Sequence, residues 1–182
     1  MIFDFMISTT TFRTASRNDA AIIAQLHAAS WVIAYRGLLL DAYLDNDLPG
    51  ERLTYWTKKM TQLKDKEFVL LAINAQGVAE GFISVMDEPE AGYMALVDNL
   101  HVRPDLKGRG IGKALMQRAA RVLTDSGRTN YYLWVLNGND PAVRFYRSIG
   151  GEQADEKIVH FGGKDVKATR FVWNTFDQVL LA

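Results

Sequence analysis

Apolar and polar positions along this chain follow two periods, and the changes of period mark its elements. Thr11 to Ala15 reads as a short strand, and Asp19 stands where an N-cap is wanted for a helix with Ile22, Leu26, Ala29 and Ile33 on one face. A second helical segment, Glu51 to Leu63, sets Leu53, Trp56, Met60 and Leu63 on one side. Phe68 to Ile73 and Ala79 to Met86 are apolar runs of strand length, joined by the hairpin signature Asn74-Ala75-Gln76-Gly77. After the polar turn Glu88 to Gly92, a strand pattern runs from Tyr93 to Val102 until Pro104 breaks it. A helix begins around Ile111, with Ile111, Leu115, Ala119 and Val122 as its buried stripe and Asp125-Ser126-Gly127 as its end.

Tyr131 to Leu136 is again a strand run. Asp140 is placed to cap a helix with Pro141 at its first position, and Ala142, Phe145, Tyr146 and Ile149 share a face before Gly150 stops it. Glu152 to Phe161 and Lys167 to Trp173 form a closing hairpin around Gly162-Gly163-Lys164-Asp165. The strand, helix, strand, helix order in the middle implies that the two strands pair in parallel.

The 182 residues suit one domain, with 1–10 as a lead-in and 174–182 as an apolar C-terminal tail. Lys plus Arg and Asp plus Glu both number 21, so no overall basic field points to nucleic acid or an anionic membrane surface. The apolar start, MIFDFMISTT, is too short to span a bilayer and lacks a basic beginning. With 0 Cys, the chain has no disulfide scaffold, thiolate metal site or cysteine nucleophile, and a cytoplasmic protein is the simplest expectation. No metal site is expected.

Against this neutral background the stretch Ala95 to Val122, ALVDNLHVRPDLKGRGIGKALMQRAARV, stands out. A strand, a turn with Gly108, Gly110 and Gly112, and a helix start make a phosphate cradle, because glycines admit the anion to the backbone and free amides at the helix N-terminus bind it. Lys107, Arg109 and Lys113 add positive charge. A P-loop would need Gly at 107 and Ser or Thr at 114, where Lys107 and Ala114 stand; a dinucleotide fingerprint would need Gly in place of Lys113.

The same register resembles the coenzyme A signature of the GCN5-related N-acetyltransferase (GNAT) superfamily, Arg or Gln, two residues, Gly, one residue, Gly or Ala, with Lys107 in the first place. A second match is NDPAVRFYRSIGG, Asn139 to Gly151, with Gly151 where Phe is usual, a change expected to loosen packing behind that helix. The element order resembles the superfamily from Thr11 to about Trp173. The implied fold is α/β in the mixed α+β sense: a central, mostly antiparallel sheet of about seven strands flanked by helices and splayed between the fourth and fifth.

The resemblance implies acetyl-CoA as cosubstrate and an acceptor amine, small molecule or protein, to which the acetyl group passes directly. It carries over Leu100, His101 and Val102 as backbone contacts for the pantetheine arm, Lys107, Gly108, Arg109, Gly110, Ile111, Gly112 and Lys113 for the pyrophosphate, and Asn139 as a cofactor-side polar contact. It also places Trp31, Tyr35 and Tyr43 on the acceptor wall. Tyr146 matches the family's tyrosine, a proton donor to the leaving thiolate that also belongs to the cofactor side.

An amine of pKa about 10.4 is scarce in its neutral form at pH 7, at a cost of about 4 to 5 kcal/mol, so a base is wanted. The family's commonest acidic place falls on Leu96 and another on Trp134, neither of which can serve. Asp98 is the first choice for the base and His101 its rival, on the opposite face of a regular strand unless a bulge upsets the parity. Two other readings stay open: an acyl-CoA-binding regulatory module without turnover, and a transferase of longer acyl groups or to oxygen. A homodimer built on the apolar residues Val179, Leu180 and Leu181 is a further expectation.

Overall fold

In the computed structural model, which describes residues 10–161 and 164–182, seven strands form one sheet of order β1-β2-β3-β4-β5-β7-β6. They are β1 Thr11–Thr14, β2 Phe68–Ile73, β3 Ala79–Met86, β4 Leu96–Val102, β5 Tyr131–Leu136, β6 Glu152–Phe161 and β7 Lys164–Trp173. The helices are α1 Ala20–Ala34, α2 Leu48–Gln62, α3 Ile111–Asp125, α4 Asp140–Ser148 and the short α5 Asp177–Leu180. Every neighbouring pair is antiparallel except β4 with β5, which run parallel as the strand, helix, strand order implies. Residues 1–9 of the lead-in, and Gly162 and Gly163 of the expected hairpin turn, lie outside the described residues. Among the described residues no helix is long and apolar enough to cross a membrane.

The continuous apolar runs of β2 and β3 reflect a sheet covered on both sides. Val69, Leu71 and Phe82 face α1 and α2 in a cluster with Ile23, Trp56 and Met60, whereas Leu70, Ala72, Ile83 and Val85 face α3 with Leu115, Met116 and Leu123. Each large side chain buried here contributes about 1.5–3 kcal/mol. In the β2–β3 turn, Asn74 Oδ1 accepts from the amides of Gln76 at 3.0 Å and Val78 at 2.9 Å, the local bonding that makes Asn a turn residue.

The helix faces differ from simple periodicity by about one position. In α1, Ile23, His27, Ser30 and Trp31 are buried while Ile33 is 59% exposed; in α2, Arg52 is buried and Leu53 is 47% exposed. The cause is tertiary: Arg52 lays its guanidinium over Trp31 at 5.2 Å and Tyr55 at 4.8 Å, and Trp56 donates to His27 across the two helices at 2.9 Å. On α3, Leu123 takes the buried place expected of Val122. Asp19 does not cap α1 with its side chain; its carboxylate instead accepts from Arg13 and from the Ser16 amide. Asn139, not Asp140, caps α4, its Oδ1 accepting from the Ala142 amide at 3.3 Å.

The expectation that Gly151 loosens the packing is overturned. A Cβ built there would lie 2.6 Å from Trp173 Cζ2 and 2.8 Å from the Tyr146 carbonyl oxygen, because the Trp173 indole fills this space and donates to the Ile149 carbonyl at 2.9 Å. We expect Gly151→Ala to cost about 1–3 kcal/mol through overpacking. At about 2–4 °C per kcal/mol for this size, thermal unfolding shows a fall of several degrees, whereas a rise would show the space to be empty. The C-terminal tail is used within the chain: Phe176 and Val179 are buried beside α3, Gln117 donates to the Val179 carbonyl at 3.1 Å, and only Leu181 of the predicted dimer patch is largely exposed, at 84%.

Candidate active site

The parallel strands touch at one register position, Leu96 with Tyr132, next to the bond from the Tyr132 amide to the Ala95 carbonyl at 3.0 Å. Beyond it β4 and β5 diverge, and the gap is a cleft of about 800 Å³. Its far end is the glycine turn. Gly108 and Gly110 hold φ of 80° and 82°, the left-handed region, and Gly110 is the N-cap of α3, so the first-turn amides of that helix open into the cleft mouth. Gly112 passes close to the Phe145 ring, where a Cβ would stand 3.3 Å from Cζ. Lys107, Gly108, Gly110, Ile111, Gly112 and Lys113 all line the cleft, whereas Arg109 is exposed outside that lining. The Lys113 ammonium donates to the Ala182 carbonyl oxygen.

Midway along β4 the ladder with β3 slips. Leu100 pairs with Ile83 and Asn99 with Ser84, but Val85 pairs with Val97, so Asp98 is the extra residue of a bulge. The parity of a regular strand therefore fails, and Asp98 and His101 both turn toward the layer of α1 and α2. Asp98 is held there by α2: its Oδ2 takes an ion pair from Lys59 Nζ and a hydrogen bond from the Tyr55 hydroxyl at 3.2 Å. Burial pulls the Lys59 ammonium down, but the Asp98 carboxylate and the Tyr55 hydroxyl outweigh it and hold its pKa above the ordinary lysine value.

His101 lies deeper, with Nδ1 3.1 Å from Ser30 Oγ and its ring stacked on His27 at 4.5 Å. Burial, followed by the positive charges of Lys107 and Arg52, lowers its pKa to about 3, so its imidazole is neutral at physiological pH. His27 is fully buried. Its Nδ1 accepts from the Trp56 indole, which leaves the proton on Nε2, an atom with no partner among the described residues.

On the opposite wall, Tyr146 of α4 is 9% exposed and reaches the cleft between Phe145 and Phe171. Burial, with a smaller contribution from Tyr35, raises its hydroxyl pKa, so the phenol stays protonated. Tyr35 lines the same cleft and is hydrogen-bonded to the side chain of Asn139, which thus caps α4 and faces the cleft at once. Trp31 lines the cleft too. Tyr43 does not: it packs beside Leu44 and Leu48, and burial and a hydrogen bond to Glu51 push its hydroxyl up to about 12. Leu100, Val102 and Trp134 complete the walls, Trp134 with the guanidinium of Arg170 4.6 Å from its ring centre. Lys59, Tyr55 and Ser30 escaped the sequence reading. Lys59 lies 39 positions from Asp98, and its largely buried side chain runs over Tyr55 and Trp56 on the same helix, whereas Lys58 is exposed.

A mostly antiparallel sheet opened between its one parallel pair, with a cationic glycine turn at the end of the opening, defines the acetyltransferase class of fold. The chain belongs to the Acetyltransferase (GNAT) family, whose model matches residues 30–150. It is 27% identical over 166 residues to the uncharacterized N-acetyltransferase YuaI of Bacillus subtilis, an alignment covering 90% of this chain and 92% of the relative. Among solved structures it is similar to the PaiA N-acetyltransferase of Thermoplasma acidophilum in complex with coenzyme A, with a TM-score of 0.66 and 21% identity over 88% of this chain and 98% of that one. It is likewise similar to YncA of Salmonella typhimurium with acetyl-CoA, with a TM-score of 0.64 and 21% identity over 93% and 95% of the two chains.

Proposed function

We propose that this protein is an acetyl-CoA-dependent N-acetyltransferase that passes the acetyl group directly to an amine. The observation that supports this best is the convergence on one cleft of an anion cradle at Gly108 to Lys113, a free edge on β4 where the sheet parts, and the protonated hydroxyl of Tyr146. The residues fit the cosubstrate: left-handed glycines and a helix N-terminus suit a pyrophosphate, and the parted strand offers backbone groups to an extended amide arm. When bound, acetyl-CoA supplies an activated acetyl carbon.

In the reaction a C–N bond forms and the thioester C–S bond breaks. Asp98 takes the amine's proton, with Lys59 and Tyr55 fixing its carboxylate, and Tyr146 gives its proton to the departing sulfur. His101, neutral and anchored by Ser30, serves as wall and backbone contact. No covalent acyl-enzyme is needed.

Thiol release from acetyl-CoA, followed over a panel of amines, tests the reading; absence of acetyl-CoA binding by titration calorimetry would sink it. For the base, Asp98→Asn is expected to slow turnover about a hundredfold near pH 7. The deficit narrows as pH rises toward the amine's own pKa, because the acceptor then arrives already neutral. A deficit constant with pH assigns Asp98 to structure alone.

A further inference from the structure

Asp98 lines two hollows, not one. The first is the cleft; the second, of about 370 Å³, lies on the α2 side of the bulge, and Lys58, Lys59, Lys64, Glu67 and Glu88 share its lining with Asp98. That volume is within the range of small-molecule sites, about 300–1,000 Å³. Asp98 is the residue the two linings share, and the extra residue of the bulge turns its carboxylate out of the ladder toward α2.

The charges in this hollow are mixed and balanced, with three lysines against three carboxylates. Lys59 is committed to Asp98, whereas Lys58 and Lys64 are exposed and their ammonium groups have no carboxylate partner among the described residues. Glu67 is buried and accepts from the Lys64 amide at 3.1 Å, which fixes the bend after α2. A polyamine would meet three cations here without a net negative field to offset them. A molecule bearing one positive and one negative group meets a partner for each.

We infer that the acceptor is a small zwitterionic amine of amino-acid type, bound in this second hollow with its carboxylate on Lys58 and Lys64 and its amine at Asp98. The inference rests on the acetyltransferase reading and goes further by naming the acceptor class and the face from which it enters. The acceptor then approaches from the side of α2, and the cosubstrate from the glycine turn.

The test measures thiol release from acetyl-CoA with the free standard amino acids, spermidine and benzylamine, beside calorimetric titration with acetyl-CoA alone. One or more amino acids should give the highest kcat/KM of the panel. The double substitution Lys58→Ala with Lys64→Ala should raise KM for that amino acid about tenfold with kcat little changed, as expected for loss of charged hydrogen bonds. The double replacement by Arg should restore it. Both sites are exposed on or just after α2, so the variants keep the core intact. Acetyl-CoA binding with turnover only on spermidine or benzylamine, or an acceptor KM unmoved by the alanines, overturns the inference and leaves the acetyltransferase reading standing. Binding without turnover on any amino acid also overturns it, and failure to bind acetyl-CoA overturns both.

Discussion

Tyr146→Phe is expected to lower turnover about a hundredfold or more while acetyl-CoA still binds. The substitution removes one hydroxyl and keeps the ring that packs 5.8 Å from Phe171 and 5.9 Å from Trp173, so the core behind α4 stays filled. What is lost is the hydroxyl that the proposed mechanism uses as proton donor to the leaving sulfur. A hundredfold loss is about 2.7 kcal/mol of transition-state stabilisation, in the range of a single general acid. Because burial holds the Tyr146 pKa above the ordinary tyrosine value of about 10, the native enzyme should show no alkaline loss of kcat from this group below that pH. Steady-state kinetics together with acetyl-CoA titration checks the prediction; unchanged turnover with intact binding would remove Tyr146 from the chemistry.

The second large effect is acid destabilisation through the stacked histidines. An unfolded histidine binds its proton near 6.5, whereas folded His101 does so only near about 3 and folded His27 lower still, chiefly because both are buried. Between those values the unfolded chain carries more protons than the folded one. Stability is therefore greatest above about pH 6.5 and falls as the pH drops through the window down to about 3. Each histidine costs up to about 1.4 kcal/mol per pH unit well below 6.5 and about 1 in the first unit, so two make a change of about 2 kcal/mol between pH 6.5 and 5.5. Urea unfolding at a series of pH values should show this fall. The double variant His27→Asn with His101→Asn, which retains an acceptor for Trp56, should flatten it. A midpoint unchanged between pH 7.5 and 5.5 in the native protein would refute the argument.

Much of the architecture was legible because the signals are local. The bounds of β2, β3 and β5 follow from apolar runs and turn residues alone, and the glycine register from Lys107 to Gly112 marked one end of the cleft. The helix faces were harder to read. A period of 3.6 residues fixes that a stripe exists, but which stripe is buried depends on the neighbour: Arg52 enters the interior in place of Leu53 because Trp31 and Tyr55 offer it aromatic faces. Gly151 shows the same limit, since its need for a missing side chain is set by Trp173, 22 positions along the chain.

By itself the sequence determined the order of elements, the parallel central pair, the phosphate-type turn and the chemical kinds of residue present, all of which depend on near neighbours. Only the tertiary structure decided which groups meet. The bulge at Asp98 is a mismatch between two strands, and no single strand's sequence contains it. That mismatch reverses the parity, sets Asp98 and His101 on one side, and brings Lys59 and Tyr55 from α2 to the carboxylate. The proton affinity of a base and the identity of its partners are properties of distance and burial in the folded chain, and neither is fixed by spacing along it.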